Sequence, residues 1–238
     1  MPTPLEAASH EERLLLIGAS RGLGYALAES YLGLGWRVVA TARRDSGAKL
    51  RKLAESCDGR LEVETVDINH PAQVTELRER LAARRFEVLF VNAGVKNDDR
   101  ETIADVSTDE FVRVMVTNAL SPMRVIEALQ DLVPSSGTIG VMSSGQGSVA
   151  NNLSGHYEVY RASKAALNTL MRSFAARHSD DPRTLLLLAP GWVRTDMGGP
   201  NARLSIDESI PNLVRTVNAQ RGKRGLHYLD YLGRTVPW

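Results

Sequence analysis

Short, nearly unbroken apolar runs recur along the chain: RLLLIG (13–18), WRVVATA (36–42), FEVLFVNAG (86–94), GTIGVMSS (137–144) and RTLLLLAPG (183–191). A strand with one wet face alternates apolar and polar residues, whereas an unbroken run is buried on both faces. Strands of that kind belong to parallel sheets packed between layers of helix. LEVETVD (61–67) alternates like a strand. Between the runs lie helix-spaced segments: ALAESYLGLG (26–35) with a Gly stop, QVTELRERLAARR (73–85) behind Pro71, and HYEVYRASKAALNTLMRSFAARH (156–178). A long helix is also expected over about 108–132, with apolar residues at Phe111, Val114, Met115 and Leu120. Strands alternating with helices imply βαβ crossovers, hence a doubly wound α/β fold.

No repeat, linker or composition shift divides the 238 residues, so one domain over 1–238 is expected, with 1–10 a loose tail. Hydrophobic residues make up 43% and charged residues 24%, which excludes disorder as the dominant state. Lys and Arg number 29 against 28 Asp and Glu, a net charge of +1. That balance argues against nucleic acid or an anionic membrane as the main partner. Cys57 is the single cysteine, so no internal disulfide forms, and a reducing compartment is indicated. No apolar run is long enough to cross a bilayer, and the first residues lack the basic and apolar regions of a signal peptide. A cytoplasmic protein is expected.

Three motifs carry chemistry. Gly18-Ala19-Ser20-Arg21-Gly22-Leu23-Gly24 directly follows the first strand and opens a helix. Glycines there allow a tight turn and let a pyrophosphate approach backbone N–H groups at the positive helix end. The spacing is GxxxGxG rather than the more common GxGxxG. Tyr160 and Lys164 lie four apart on a helix and share a face. A cation about 5 Å from the phenol would lower its pKa by about two units at an effective dielectric of 20. Ser143-Ser144 ends the strand GTIGVM, where parallel-sheet folds bind ligands, although paired serines also serve turns.

Together with Asn92-Ala93-Gly94, Asn118 and Pro190-Gly191, these motifs resemble the short-chain dehydrogenase/reductase family over nearly the whole chain. The resemblance implies a Rossmann domain of about seven mostly parallel strands with helices on both faces. It also implies a catalytic set of Ser144, Tyr160, Lys164 and Asn118, the last holding a proton-relaying water. Asp67-Ile68 resembles the adenine-contacting pair, and Val193 and Thr195 would lie near the carboxamide and phosphates. MSSGQGS (142–148), SGHYEVYRASKAALN (154–168), GWVRTDMGGPNA (191–202) and the closing Pro237-Trp238 are similar to the branch of Sniffer-type carbonyl reductases and bacterial C-factor proteins. The interval from Ser144 to Tyr160 exceeds the family's usual one, as in that branch. Ser148 fits the usual interval better, but Ser144 follows the strand directly.

Family members that prefer NAD end the second strand with an acidic residue. Here Thr41-Ala42-Arg43-Arg44 stands there, and Arg21 lies inside the glycine turn. Two guanidinium groups converging on a 2′-phosphate would select NADP(H). The histidines at 10, 70, 156, 178 and 227 show no ligand spacing, so no metal is expected. Trp192, Met197 and Leu204 follow Pro190-Gly191 where relatives fold over substrate, though packing roles would also suit them. The expected activity is NADP(H)-dependent reduction of a small-molecule carbonyl, or the reverse alcohol oxidation. A cofactor-binding signalling protein with little turnover is the alternative, or a non-redox epimerase or dehydratase. The long helices 108–132 and 156–178 correspond to those that pair relatives into dimers or tetramers, so the resemblance implies a homo-oligomer, with the segment 226–238 slightly favouring a dimer over a tetramer.

Overall fold

Leu14, Leu15, Leu16 and Ile17 are all buried, and period-2 alternation sends them to opposite faces of β1 (Arg13–Ile17). Leu15 and Ile17 join one apolar core, Leu14 and Leu16 another. The same division runs through β2 (Arg37–Ala42), β4 (Val88–Val91), β5 (Thr138–Met142) and β6 (Thr184–Ala189). With β3 (Leu61–Thr65) and β7 (Gly225–Asp230), they form one seven-stranded sheet. Its order is β3-β2-β1-β4-β5-β6-β7, and every pairing is parallel. The computed structural model describes residues 11–238; the expected tail over 1–10 and His10 lie outside the described residues.

The first core packs under α3 (Pro71–Arg80), α5 (Ser121–Leu129) and α6 (Glu158–Arg177). The second packs under α1 (Gly22–Gly33), α2 (Ala48–Glu55) and α7 (Ile206–Gln220). Each fully buried leucine contributes about 1.5–3 kcal/mol, so two dry faces supply ample stabilisation. Such faces set strand register poorly, because a one-residue slip still buries apolar groups. Polar locks do so instead: Gly18 N donates to Thr41 Oγ1 at 2.9 Å and Ala19 N to the Thr41 carbonyl at 2.7 Å.

Three features differ from the sequence reading. The helix expected at 108–132 is broken into α4 (Thr108–Met115), a π-turn at Val116–Leu120, α5 and a 3-10 turn at Gln130–Leu132. Pro122 has no N–H for the Asn118 carbonyl four residues earlier, which removes one α-helical bond where the π-turn sits. The helix expected to reach residue 85 ends at Arg80. Helices α2 and α7 and strand β7 are absent from the sequence reading, although Ile206, Ile210, Leu213, Val214 and Val217 keep helical spacing in α7. Ser107 caps α4, accepting from Glu110 N at 3.2 Å, and a Ser205–Glu208 capping box opens α7. Among the described residues, no helix is long and apolar enough to cross a membrane.

Candidate active site

Strand order reverses between β1 and β4, and the candidate residues gather at the carboxyl ends of the strands around that point, where ligands bind in such folds. After β1, the chain turns through Gly18 at φ 88°, a left-handed conformation that glycine adopts without strain. Asn92 Nδ2 donates to the Gly18 carbonyl at 2.7 Å, while Asn92 N and Ala93 N donate to the Ile17 carbonyl. A Cβ on Gly18 would lie 2.7 Å from Ala93 N, and one on Gly24 would lie 2.1 Å from the Gly18 carbonyl oxygen. Gly22, at φ 54°, has more room, its nearest neighbour being Thr195 Cγ2 at 3.6 Å. There α1 begins, with no capping side chain and no acidic residue in its first turn. Its first N–H groups and the positive end of its dipole suit an anion. Ser20 and Leu23 flank the turn, partly exposed.

Arg21 and Arg43 are both exposed, but each has its own acidic neighbour, and no contact joins them. Arg21 Nη1 meets Asp196 Oδ2 at 3.0 Å, and Arg43 Nε lies 4.0 Å from Asp45 Oδ1. Exposed pairs of this kind contribute roughly 0–1 kcal/mol, so an arriving phosphate could displace either carboxylate. Beyond β3, Asp67 Oδ1 accepts from Asn69 N at 2.9 Å and Ile68 is buried.

Asn118 sits in the π-turn, fully buried. Its Oδ1 accepts from Val95 N at 2.8 Å, and its Nδ2 donates to the Val95 carbonyl at 2.8 Å and to Ser163 Oγ at 2.9 Å. Ser163 Oγ donates in turn to the Tyr160 carbonyl at 2.8 Å. The amide thus ties the segment beyond Gly94 to the helix that carries Tyr160.

Ser144 follows β5 in extended conformation, and its Oγ accepts from Gln146 N at 3.1 Å. The Ser144 hydroxyl lies near enough to the Tyr160 phenol to oppose the rise of its pKa. Ser148 turns elsewhere, donating to the Trp238 carbonyl and accepting from Asn151 N. Lys164 is buried on α6, its Nζ 5.8 Å from the Tyr160 ring centroid, and it donates to the Met142 carbonyl at 2.9 Å. Burial lowers its ammonium to about 8. The phenol does not follow the expected downward shift. Desolvation pushes Tyr160 up to about 12, outweighing the opposing effect of the Ser144 hydroxyl. The sequence arithmetic counted the cation but not the loss of water.

On the far side, the Pro190 carbonyl accepts from Ser209 Oγ at 2.8 Å, and Gly191 turns at φ 82° against Leu204. Val193 is buried and bridges to Leu204, while Thr195 Oγ1 accepts from Gly198 N at 3.1 Å, beside Gly22. Trp192 is 48% exposed and Met197 38%, on the outer surface of this segment. Thr41, Ser163, Asn168 and Asp196 also take part in these contacts. They lie in recognisable stretches of the sequence, but their own roles are not legible there, because each acts through a partner distant in sequence. Among the described residues, no group of three or more His, Cys, Asp or Glu could hold a metal ion.

The family profile described as enoyl-(acyl carrier protein) reductase matches residues 18–219. C-signal of Myxococcus xanthus is 35% identical over 154 residues, 64% of this chain and 92% of that protein. A short-chain dehydrogenase/reductase from Burkholderia multivorans, solved with bound NADP, is 59% identical with a TM-score of 0.94, covering 96% of this chain and 100% of that one. A carbonyl reductase from Pseudomonas aeruginosa PAO1, solved in complex with NADP, is 39% identical with a TM-score of 0.89 and the same coverage.

Proposed function

The chain belongs to the short-chain dehydrogenase/reductase family, and from that membership we propose that it is an NADP(H)-dependent reductase of small-molecule carbonyls. The observation that carries this reading is the meeting of Ser144, Tyr160 and Lys164 at the carboxyl end of the sheet. The glycine turn beside them fits the cofactor: an uncapped helix N-terminus for the pyrophosphate, with Arg21 and Arg43 for a 2′-phosphate. No acidic residue ends β2 to grip a ribose 2′-hydroxyl. The Burkholderia and Pseudomonas structures, both solved with NADP, support the same choice. Asp67, Ile68, Asn92, Ala93, Gly94, Pro190, Gly191, Val193 and Thr195 would line the rest of the cofactor site.

Bound NADPH supplies the hydride that reduces the carbonyl carbon. Tyr160 gives its phenolic proton to the carbonyl oxygen; a phenol near 12 stays protonated at neutral pH and serves as the general acid. Ser144 donates a hydrogen bond to the same oxygen and holds it toward Tyr160. Lys164, cationic below about pH 8, would offset the charge left on the phenol after donation and would hold the nicotinamide ribose. The Asn118 side chain is fully engaged, so its carbonyl, denied an α-helical donor by Pro122, would hold the relay water. In alcohol oxidation, the same groups run in reverse. A panel of aldehydes and ketones followed by loss of NADPH absorbance tests the reading. NADPH binding with turnover of no carbonyl overturns it in favour of a cofactor-binding protein.

A further inference from the structure

Tyr228 in β7 is 2% exposed, and its hydroxyl donates to the carbonyl of Ser144. That carbonyl also accepts from Gly147 N at 2.9 Å. The same hydroxyl lies beside the Ser143 and Asn168 side chains. Ser143 Oγ donates to Asn168 Oδ1 at 2.6 Å, and Asn168 Nδ2 donates to the Gly147 carbonyl at 3.2 Å. The network is buried, and every hydroxyl and amide in it has a partner, so its geometry is stiff.

Behind Tyr228 stands Trp238, their ring centroids 5.4 Å apart, with the Arg172 guanidinium of α6 4.9 Å from the indole. The Trp238 carbonyl accepts from Ala150 N at 2.9 Å and from Ser148 Oγ at 3.3 Å. Val236 N donates to the Tyr228 carbonyl at 2.9 Å, which closes the strap. The loop it supports is otherwise outward-facing, with Val149 73% and Leu153 92% exposed. The backbone of Ser144, at φ −162° and ψ 148°, decides where its hydroxyl points.

We infer that Tyr228, backed by Trp238, is a positioning residue that fixes the backbone of Ser144 and so aims its hydroxyl at the Tyr160 phenol. The inference rests on the reductase reading, because only there does the direction of the Ser144 hydroxyl set a rate. Tyr228 touches no reacting atom and acts through the Ser144 carbonyl alone. None of its hydrogen bonds reaches the glycine turn, so it governs turnover rather than cofactor affinity.

The test compares Tyr228→Phe, which removes one hydroxyl and keeps the ring, with the parent, Tyr160→Phe and Trp238→Ala. Misaimed catalytic groups cost up to about a hundredfold, so Tyr228→Phe should lower kcat by about tenfold while the KM for NADPH stays within about twofold. Hydrogen exchange at the Gly147 and Ala150 amides should quicken by about tenfold in Tyr228→Phe and Trp238→Ala, reporting the loop without any substrate. Should Trp238→Ala not fold, Trp238→Phe, which keeps a ring against Tyr228, answers by the same measurement. A folded Tyr228→Phe with parent kcat or parent exchange overturns the inference. So does a fall in kcat matched by a rise in the KM for NADPH. If Tyr160→Phe keeps the parent rate, the reductase reading fails, and hydrogen exchange alone decides whether the strap holds the loop.

Discussion

Asn92 Nδ2 donates to the Gly18 carbonyl at 2.7 Å, tying the end of β4 to the turn that ends β1. Gly24 packs on the same two groups: a Cβ there would lie 2.1 Å from the carbonyl oxygen and 2.6 Å from the amide nitrogen. The oxygen is backbone and cannot swing aside. Gly24→Ala should cost about 1–3 kcal/mol, as overpacking does, and weaken NADPH binding by at least about tenfold. Urea denaturation and quenching of NADPH fluorescence measure the two effects. An alanine variant with parent affinity contradicts the proposed cofactor turn.

Tyr160→Phe keeps the ring and removes the proton donor. General acid catalysis contributes about 10²- to 10⁴-fold, so kcat should fall by at least about 10² with little change in NADPH affinity. Lys164→Ala should weaken turnover and cofactor binding together, whereas Tyr157→Phe should be mild, because Tyr157 sits directly before α6 and not one turn ahead of Lys164. The parent's kcat/KM for reduction should decline above about pH 8, where Lys164 loses its charge, well before the phenol ionises near 12. A Tyr160→Phe enzyme retaining more than about a tenth of the parent rate rejects Tyr160 as the proton donor.

Cofactor preference should follow the arginines. A charge-assisted contact to phosphate is worth about 1.5–3 kcal/mol, so Arg43→Asp should lower kcat/KM for NADPH by about 10- to 150-fold and narrow the gap to NADH. Asp45 lies 4.0 Å from Arg43, and Asp45→Asn, by freeing the guanidinium, should leave NADPH preference intact. Equal efficiency of the parent with NADPH and NADH contradicts both expectations.

Assembly is tested by mass. Val112 on α4 and Leu170 on α6 are 50% and 40% exposed, and Leu120 in the π-turn is 39% exposed, apolar groups that a second copy would cover. A homo-oligomer is expected, a dimer ahead of a tetramer because the segment 226–238 lies along one side of the sheet. Light scattering at micromolar concentration giving a single-chain mass refutes it.

Legibility followed the range of the forces involved. Leu14–Ile17 and Leu185–Leu188 announce themselves because burial on both faces leaves an unbroken apolar run. The spacing of Tyr160 and Lys164 is local to one helix and was equally plain. The π-turn at Val116–Leu120 was missed although Pro122 marks it locally; what no local pattern shows is Asn118 reaching Val95 and Ser163 across the fold. The same holds for Asp196 opposite Arg21, 175 residues away. The Tyr160 phenol was misread for a related reason: its burial is a property of the packed site, invisible in the YxxxK spacing.

Lys164 gives the last prediction, a conflict between stability and function. Burial lowers its ammonium from the ordinary 10.5 to about 8. Between those values the unfolded chain binds more protons at this site than the folded one, so its contribution to stability improves as pH rises through the window. Below about pH 8, both states are protonated and the full penalty, about 3 kcal/mol, is present. Lys164→Met keeps a similar unbranched stem without the charge, but loses the hydrogen bond to the Met142 carbonyl. Allowing about 1–2 kcal/mol for that loss, the variant should gain on the order of 1–2 kcal/mol at pH 7. The gain should fall by about 2–3 kcal/mol and turn into a small loss by pH 10, while carbonyl reduction is lost at both. Urea denaturation of both proteins at pH 7 and pH 10 reads the difference directly. A methionine variant less stable than the parent at pH 7, or a gain that does not change with pH, shows that the ammonium carries no such penalty.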